Sequence, residues 1–269
     1  MTSNDKKFVG SIPDLYDTYL VPLIFEDYAE DMAGRVVAGA SDDVLETAAG
    51  SGVVTRMLAP LLPSGARYVV SDLNAPMLDR ARARQTPDAR ISWQQADALD
   101  LPFEDGAFDV VCCQFGTMFF PDKPKGYGEA RRVLRPGGRF IFNVWDGIEH
   151  NEFADIVTRV AQDHLPGGQG AFLARTPHGH GDPAVLRRDL EQAGFTEIAI
   201  ETITRTSTAA QAAHPAIAYA QGTPLRGEIE PHGPEMLERI TEDATQEITR
   251  RFGAGPVSAK VQGLVITAS

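Results

Sequence analysis

A short apolar run that ends in an acid and then turns through alanine, glycine and serine constrains this chain most: Val44-Leu45-Glu46-Thr47-Ala48-Ala49-Gly50-Ser51-Gly52-Val53-Val54-Thr55. Small residues let a backbone double back between a strand and a helix, and let it come close to a ligand. The helix that follows aims unpaired N–H groups back at the turn. A second apolar run, Tyr68-Val69-Val70-Ser71-Asp72, also closes on an acid. A carboxylate at the end of that strand can accept both hydrogen bonds of a ribose diol. The order of strand, glycine turn, helix, strand and acid is the framework of an adenosyl-ligand site in an α/β sheet. The turn taken singly is also compatible with an ordinary βα connection that holds no ligand.

The rest of the chain extends the same alternation. Near-helical spacing of Tyr16, Leu20, Leu23, Ile24, Tyr28, Met32 and Val36 predicts two helices in 11–40, interrupted at Pro22. Strands are expected at 43–47, 67–71, 91–95, 108–113 and 139–144, with helices at 52–61, 75–84 and 123–134 between them. Phe108-Asp109-Val110-Val111-Cys112-Cys113 is nearly continuous in apolar character, which suits burial on both faces. Arg135-Pro136-Gly137-Gly138 reads as a helix stop followed by a turn. Further helices at 151–164 and 183–193 flank a Gly/His/Pro loop. A strand at 196–205, a proline-broken helical stretch over 207–255 and a last strand at 257–268 complete the chain. Alternating strands and helices imply a parallel sheet with right-handed crossovers.

Composition narrows the class. The chain has 269 residues, 43% of them hydrophobic, enough for one large α/β core without disulfide staples. The net charge of -12 would repel phosphate backbones, so a nucleic-acid substrate is not expected. The arginines Arg80, Arg82, Arg84 and Arg90 read as a solvated helix face and end. Cys112 and Cys113 are neighbours in a strand, point to opposite faces and read as core residues. A polar N-terminus and the lack of a spanning apolar run lead to the expectation of a cytoplasmic protein with no membrane insertion.

Four segments, VLETAAGSG, VVSDLNAPML, QADALDLPFEDGAFDVV and EARRVLRPGGRF, stand in this order and spacing. Together they resemble the class I S-adenosylmethionine (SAM)-dependent methyltransferases, in particular the small-molecule branch of ubiquinone/menaquinone-biosynthesis type. The resemblance is strong over 40–146 and weak over 150–205. It implies an α/β fold: a Rossmann-like, seven-stranded, mostly parallel sheet with an antiparallel last strand, helices on both faces and helical lid elements. The implied organisation is an N-terminal helical cap (1–40), a SAM-binding core (41–206), a helical insertion or lid (207–256) and the final core strand (257–269).

Carried over by position, the resemblance places Glu46 and the backbone of Ala48, Gly50 and Gly52 around the methionine part of SAM. Asp72 would hold the ribose, Leu73 and Met77 would pack near the adenine, and Asp97 and Ala98 would read its edge. Gln114 would sit near the methionine end and the acceptor, and Tyr19 on the N-terminal segment would touch the cofactor. The family usually has glycine where this chain has Ala48.

Methyl transfer needs chiefly in-line geometry and a dry pocket. No catalytic base stands out; Gln114 and His178 are the candidates. Phe115, Met118, Phe119, Asn143, Trp145 and Asp146 also fall at strand ends where an acceptor would sit. His178, His180 and Asp182 invite a zinc reading, but a loop before a helix capped by Asp182 is favoured, and no metal is expected. The expected activity is an SN2 methyl transfer to a small organic acceptor. A SAM-binding protein without transfer is the alternative. An NAD(P)-dependent oxidoreductase is a weaker one, because Thr55 stands where a third small residue is wanted and Tyr127 is followed at 131 by arginine. The stretch 207–255 would look the same as a dimer-forming helical hairpin, so a homodimer is also carried as an expectation.

Overall fold

The computed structural model describes residues 12–269. Seven strands form one sheet: β1 (Asp43–Glu46), β2 (Arg67–Asp72), β3 (Ile91–Gln95), β4 (Phe108–Gln114), β5 (Leu134–Trp145), β6 (Ile198–Ala209) and β7 (Val257–Ala268). Their order is β3-β2-β1-β4-β5-β7-β6. β1 pairs in parallel with β2 and β4, β2 with β3, and β4 with β5. The last strands are antiparallel: Ser269 exchanges backbone bonds with Glu197, while Gln262 meets Thr204, so β6 and β7 run in opposite senses. The reversal of strand order on either side of β1 creates the crevice at which ligands bind in open α/β sheets.

Eleven α-helices are described: α1 (Ile12–Leu15), α2 (Glu26–Val37), α3 (Val53–Leu58), α4 (Ala75–Arg84), α5 (Lys123–Val133), α6 (Glu152–His164), α7 (Phe172–Arg175), α8 (Pro183–Gln192), α9 (Ala213–Gln221), α10 (Arg226–Ile229) and α11 (Pro234–Phe252). The chain divides into two compact units. The first comprises Glu26–Val144, Asp182–Thr202 and Leu264–Ser269. In it α2 packs on α3, and α5 packs on α8. Its core gathers Leu45, Val69, Phe108, Val111, Tyr127, Phe140, Phe142, Leu186 and Ile266. Phe140 and Phe142 stack with ring centroids 4.7 Å apart, and Tyr127 lies 5.2 Å from Phe142. Cys112 and Cys113 are buried free thiols in this core.

The second unit comprises 12–25, Trp145–Gly181 and Ile203–Gly263. Here α11 packs on α6 and α9, with Phe153 edge-on to Phe252 at 5.4 Å. His164 Nε2 meets Asp243 Oδ2 at 2.7 Å, joining α6 to α11.

Local structure departs from the sequence expectation at four places. The two expected N-terminal helices are one helical stretch, with Tyr16–Phe25 wound as a π-helix around Pro22. Proline lacks the N–H and crowds the preceding turn, and a wider turn relieves both. Arg135–Gly138 is a bulge inside β5 rather than a turn before it. Phe108 pairs with Leu134 and Val110 with Arg139, so the intervening residues loop out opposite Asp109. Arg135 holds the bulge, bonding Asp109 at 2.7 Å and Asp43 at 2.7 Å. The loop around His178 and His180 is not solvated: both side chains are buried. Arg90, expected on a solvated face, is half-buried and donates to the carbonyls of Ala59 and Leu62 at 2.7 Å.

Candidate active site

β1 is central and flanked on both sides, so the acid that ends it is carried into the interior. Glu46 is 1% exposed. Its Oε2 accepts the Thr55 hydroxyl at 2.7 Å and a short hydrogen bond from the Tyr68 hydroxyl. One carboxylate thereby ties β1 to β2 and to α3. Burial pushes its pKa up to about 7, against the lowering effect of the two hydroxyls.

Beyond Glu46 the chain turns through three left-handed residues at alternate positions: Ala48 (φ 52°), Gly50 (φ 57°) and Gly52 (φ 76°). Only glycine takes this region freely, so Ala48 is strained. The strain is enclosed by close packing from β4. A Cβ on Gly116 would lie 2.5 Å from the Ala48 Cβ and 2.7 Å from the Cys113 Sγ. The chain has placed alanine in the turn and glycine against it.

The turn and the end of β2 are locked to each other. Ala49 N–H donates to the Ser71 carbonyl at 3.0 Å. Gly50 N–H donates to Asp72 Oδ2 at 2.8 Å, and Asn74 N–H to Asp72 Oδ1 at 2.7 Å. Asp72 is 6% exposed, and burial raises its pKa despite the two backbone donors. Each carboxylate oxygen accepts a backbone N–H, and the Asn74 side chain bonds the carboxylate as well. The paired oxygens are thus oriented for a diol.

These residues fit an adenosyl group. A Cβ on Gly50 would meet only the Met77 methyl, at 3.9 Å, so the turn has open space above it and Met77 forms one wall. Ser51 Oγ is buried without a hydrogen-bond partner among the described residues, a polar atom left over in the same turn. Leu73 follows Asp72 and is 45% exposed, an apolar surface next to the acid. Asp97 lies past β3, exposed; its Oδ1 accepts the Leu99 N–H at 2.9 Å and so caps the turn. Ala98 beside it is half-buried. Glu46, Ala48, Gly50, Gly52, Asp72 and Met77 therefore come together, with Leu73 alongside.

Gln114 ends β4, half-buried, in register with Asn143 on β5. Phe115 follows at φ 49° and its N–H donates to Asn143 Oδ1 at 2.8 Å. Tyr19 and His178 belong to the second unit. The Tyr19 ring lies 5.1 Å from that of His214. His178 Nδ1 contacts the Asp146 carbonyl at 2.9 Å. A carbonyl only accepts, so Nδ1 carries the proton. Burial holds the His178 pKa down at about 4. Asp146 in turn accepts from Gln262 Nε2 at 2.6 Å, and Asn151 Oδ1 accepts the Gln262 N–H at 3.0 Å. Asp182 caps α8 through Ala184. Among the described residues no group of three His, Cys, Asp or Glu side chains is placed to hold a metal ion.

Sequence reasoning missed Thr55 and Tyr68 as partners of Glu46, and Gly116 as the partner of Ala48. Thr55 carried a signal, since a hydroxyl stands where a small apolar residue was wanted. Tyr68 gave none, because a tyrosine in an apolar strand reads as core.

Residues 45–142 match the model of a methyltransferase domain. A demethylmenaquinone methyltransferase of Thermus thermophilus is 36% identical over 57% of this chain and 74% of its own length. A ubiquinone/menaquinone biosynthesis C-methyltransferase of Hahella chejuensis is 32% identical over 64% of this chain and 73% of its own. A solved phosphoethanolamine N-methyltransferase 2 of Haemonchus contortus, bound to S-adenosylhomocysteine, has the same fold at a TM-score of 0.60 and 15% identity, covering 100% of this chain and 60% of that one. The chain belongs to the class I SAM-dependent methyltransferases and transfers a methyl group from SAM to a small molecule.

Proposed function

We propose that SAM lies across the Ala48–Gly52 turn and that the acceptor is an oxygen-bearing aromatic ring of hydroquinone type, methylated on carbon. The observation that carries the cofactor part is the Asp72 carboxylate, buried at the end of β2 and anchored by the Gly50 and Asn74 N–H groups at 2.8 and 2.7 Å. It would accept the ribose hydroxyls. Left-handed Gly50 and Gly52 keep side chains out of the path of the methionine moiety, with Glu46 held behind the turn by Thr55 and Tyr68. Leu73 and Met77 offer apolar surface to the adenine, and Asp97 and Ala98 stand at its edge.

The acceptor part is supported by the printed names of the relatives, which act on demethylmenaquinone or methylate carbon in quinone biosynthesis. When bound, SAM supplies an electrophilic methyl on a positively charged sulfur. The acceptor's electron pair would form the new carbon–carbon bond as the carbon–sulfur bond breaks with its pair going to sulfur, and the ring proton would pass to water. The residues here orient, exclude water and provide hydrogen bonds, which suffices for a reaction dominated by proximity. Cytoplasmic location and a homodimer are part of the reading. Among the described residues no helix is long and apolar enough to cross a membrane.

The test is calorimetric titration with S-adenosylhomocysteine, with NAD and NADP as controls, followed by turnover of 1,4-dihydroxynaphthalene. Binding of the first ligand alone, lost in Asp72→Ala, supports the cofactor site. Preference for a nicotinamide cofactor would sink it.

A further inference from the structure

Asn143 lies on β5, fully buried, in register with Gln114 at the end of β4. Its carboxamide has a fixed orientation. The Phe115 N–H points at it and donates to Oδ1 at 2.8 Å and to the Asn143 carbonyl at 3.2 Å. An N–H needs an acceptor, so the oxygen end faces Phe115 and the amino end faces away. That amino group, Nδ2, is buried with no hydrogen-bond partner among the described residues. Buried donors are nearly always paired in folded proteins, and leaving one unpaired is costly. An aspartate would hold Phe115 in its left-handed turn equally well, since that task needs only an acceptor. Asparagine supplies the same acceptor and an additional donor, and that donor has no partner among the described residues.

Strand order indicates what it donates to. Asp72, at the end of β2, is the ribose acid, and the glycine turn ends β1. Adjacent strands are about 4.8 Å apart. Moving from β2 through β1 to β4 follows the cofactor from ribose towards its sulfur, and in-line attack requires the acceptor beyond the methyl. β5 is the next strand on that side. We propose that Asn143 Nδ2 donates a hydrogen bond to an oxygen of the methyl acceptor, an oxygen next to the carbon that is methylated, while Oδ1 holds the Phe115 turn. The proposal rests on the functional reading above and sharpens it: the acceptor must carry a hydrogen-bond-accepting oxygen, best as a phenolate.

The experiment compares wild type, Asn143→Asp and Asn143→Ala. It measures melting temperature, S-adenosylhomocysteine affinity, and kcat and KM for 1,4-dihydroxynaphthalene. Asn143→Asp keeps the acceptor for Phe115; burial favours the neutral acid, so at low pH an O–H still donates and only at high pH does a negative oxygen replace the donor. The expected result is cofactor-product affinity within about twofold, and kcat/KM lowered by about 10- to 100-fold at alkaline pH, where the melting temperature also falls, with recovery towards acid, the scale of one hydrogen bond to a charged group. A parallel loss of S-adenosylhomocysteine affinity would assign the donor to the cofactor and overturn the acceptor contact. Kinetics of a folded Asn143→Asp equal to wild type at every pH would overturn it as well. Should both variants fail to fold, the wild-type structure with S-adenosylhomocysteine and dihydroxynaphthalene decides. Nδ2 within about 3.2 Å of a ring oxygen supports the proposal, and Nδ2 bonded to protein or water overturns it. Wild-type behaviour tests the reading beneath it separately: failure to bind S-adenosylhomocysteine defeats the cofactor site, and binding without turnover of the naphthalene defeats the acceptor class.

Discussion

The sheet unit and the helical unit each bury a titratable group in a polar setting, and they do so with opposite electrostatic sense. In the first, Glu46 takes two hydroxyl donors at the end of β1 and is pushed up to about 7. In the second, His178 gives its Nδ1 proton to the Asp146 carbonyl and is held down at about 4. Burial favours the neutral form in both cases, which for an acid means a raised pKa and for a base a lowered one. The difference teaches where each unit is vulnerable. The sheet unit is weakened by alkali at Glu46, and the helical unit is weakened by acid at His178.

The largest effects test that contrast directly. The ordinary carboxyl value for Glu46 is 4.5, so its neutral form stabilises the fold fully at and below that pH, and the stability is lost as pH rises towards and past 7. The loss amounts to about 3 kcal/mol by linkage. Melting curves from pH 5 to 8.5 should show wild type falling relative to Glu46→Gln, and parallel curves would end the argument. For His178, with an ordinary value of 6.5, stability is complete above that pH and is lost as pH falls towards 4, again by about 3 kcal/mol. His178→Gln should be less sensitive to acid than wild type between pH 7 and 4.

Next in size is Asp72→Ala. It removes the acceptor of two backbone N–H groups and of the proposed ribose bonds, and should weaken S-adenosylhomocysteine by roughly 100-fold or more. Equal losses on substituting a polar residue of the helical unit, such as Thr204, would blur the distinction between the units. Gly116→Ala drives a methyl into Ala48 and Cys113 and should cost about 1–3 kcal/mol, read as a lowered melting temperature. The smallest effect is expected from Ala48→Gly. Relief of a left-handed alanine, about 1–2 kcal/mol, exceeds the added chain entropy of glycine, about 0.5–1 kcal/mol. A slightly raised melting temperature would agree; a lowered one would show that the Ala48 methyl contributes packing.

Much of the sheet unit was legible in the chain. Strand β3 at Ile91–Gln95 and helix α4 at Ala75–Arg84 coincide with the expected bounds, because apolar periodicity and capping residues act locally. The glycine turn and Asp72 were legible for the same reason, since a left-handed backbone and a strand-end carboxylate demand particular residue types. The bulge at Arg135–Gly138 was not, because Pro-Gly-Gly reads the same in a turn and in a bulge, and only the pairing of β5 with β4 tells them apart. The burial of His178 was not legible because its partner, the Asp146 carbonyl, is distant in sequence.

Short-range backbone preference and motif spacing were enough for the alternation of strands and helices, the adenosyl-type turn and the family. The tertiary structure decided that Thr55 and Tyr68 converge on Glu46, that Gly116 makes room for Ala48, and that Asn143 spends only half of its carboxamide on Phe115. Those facts come from side chains meeting across strands, where distance along the chain carries no signal and packing and hydrogen-bond geometry choose the partners.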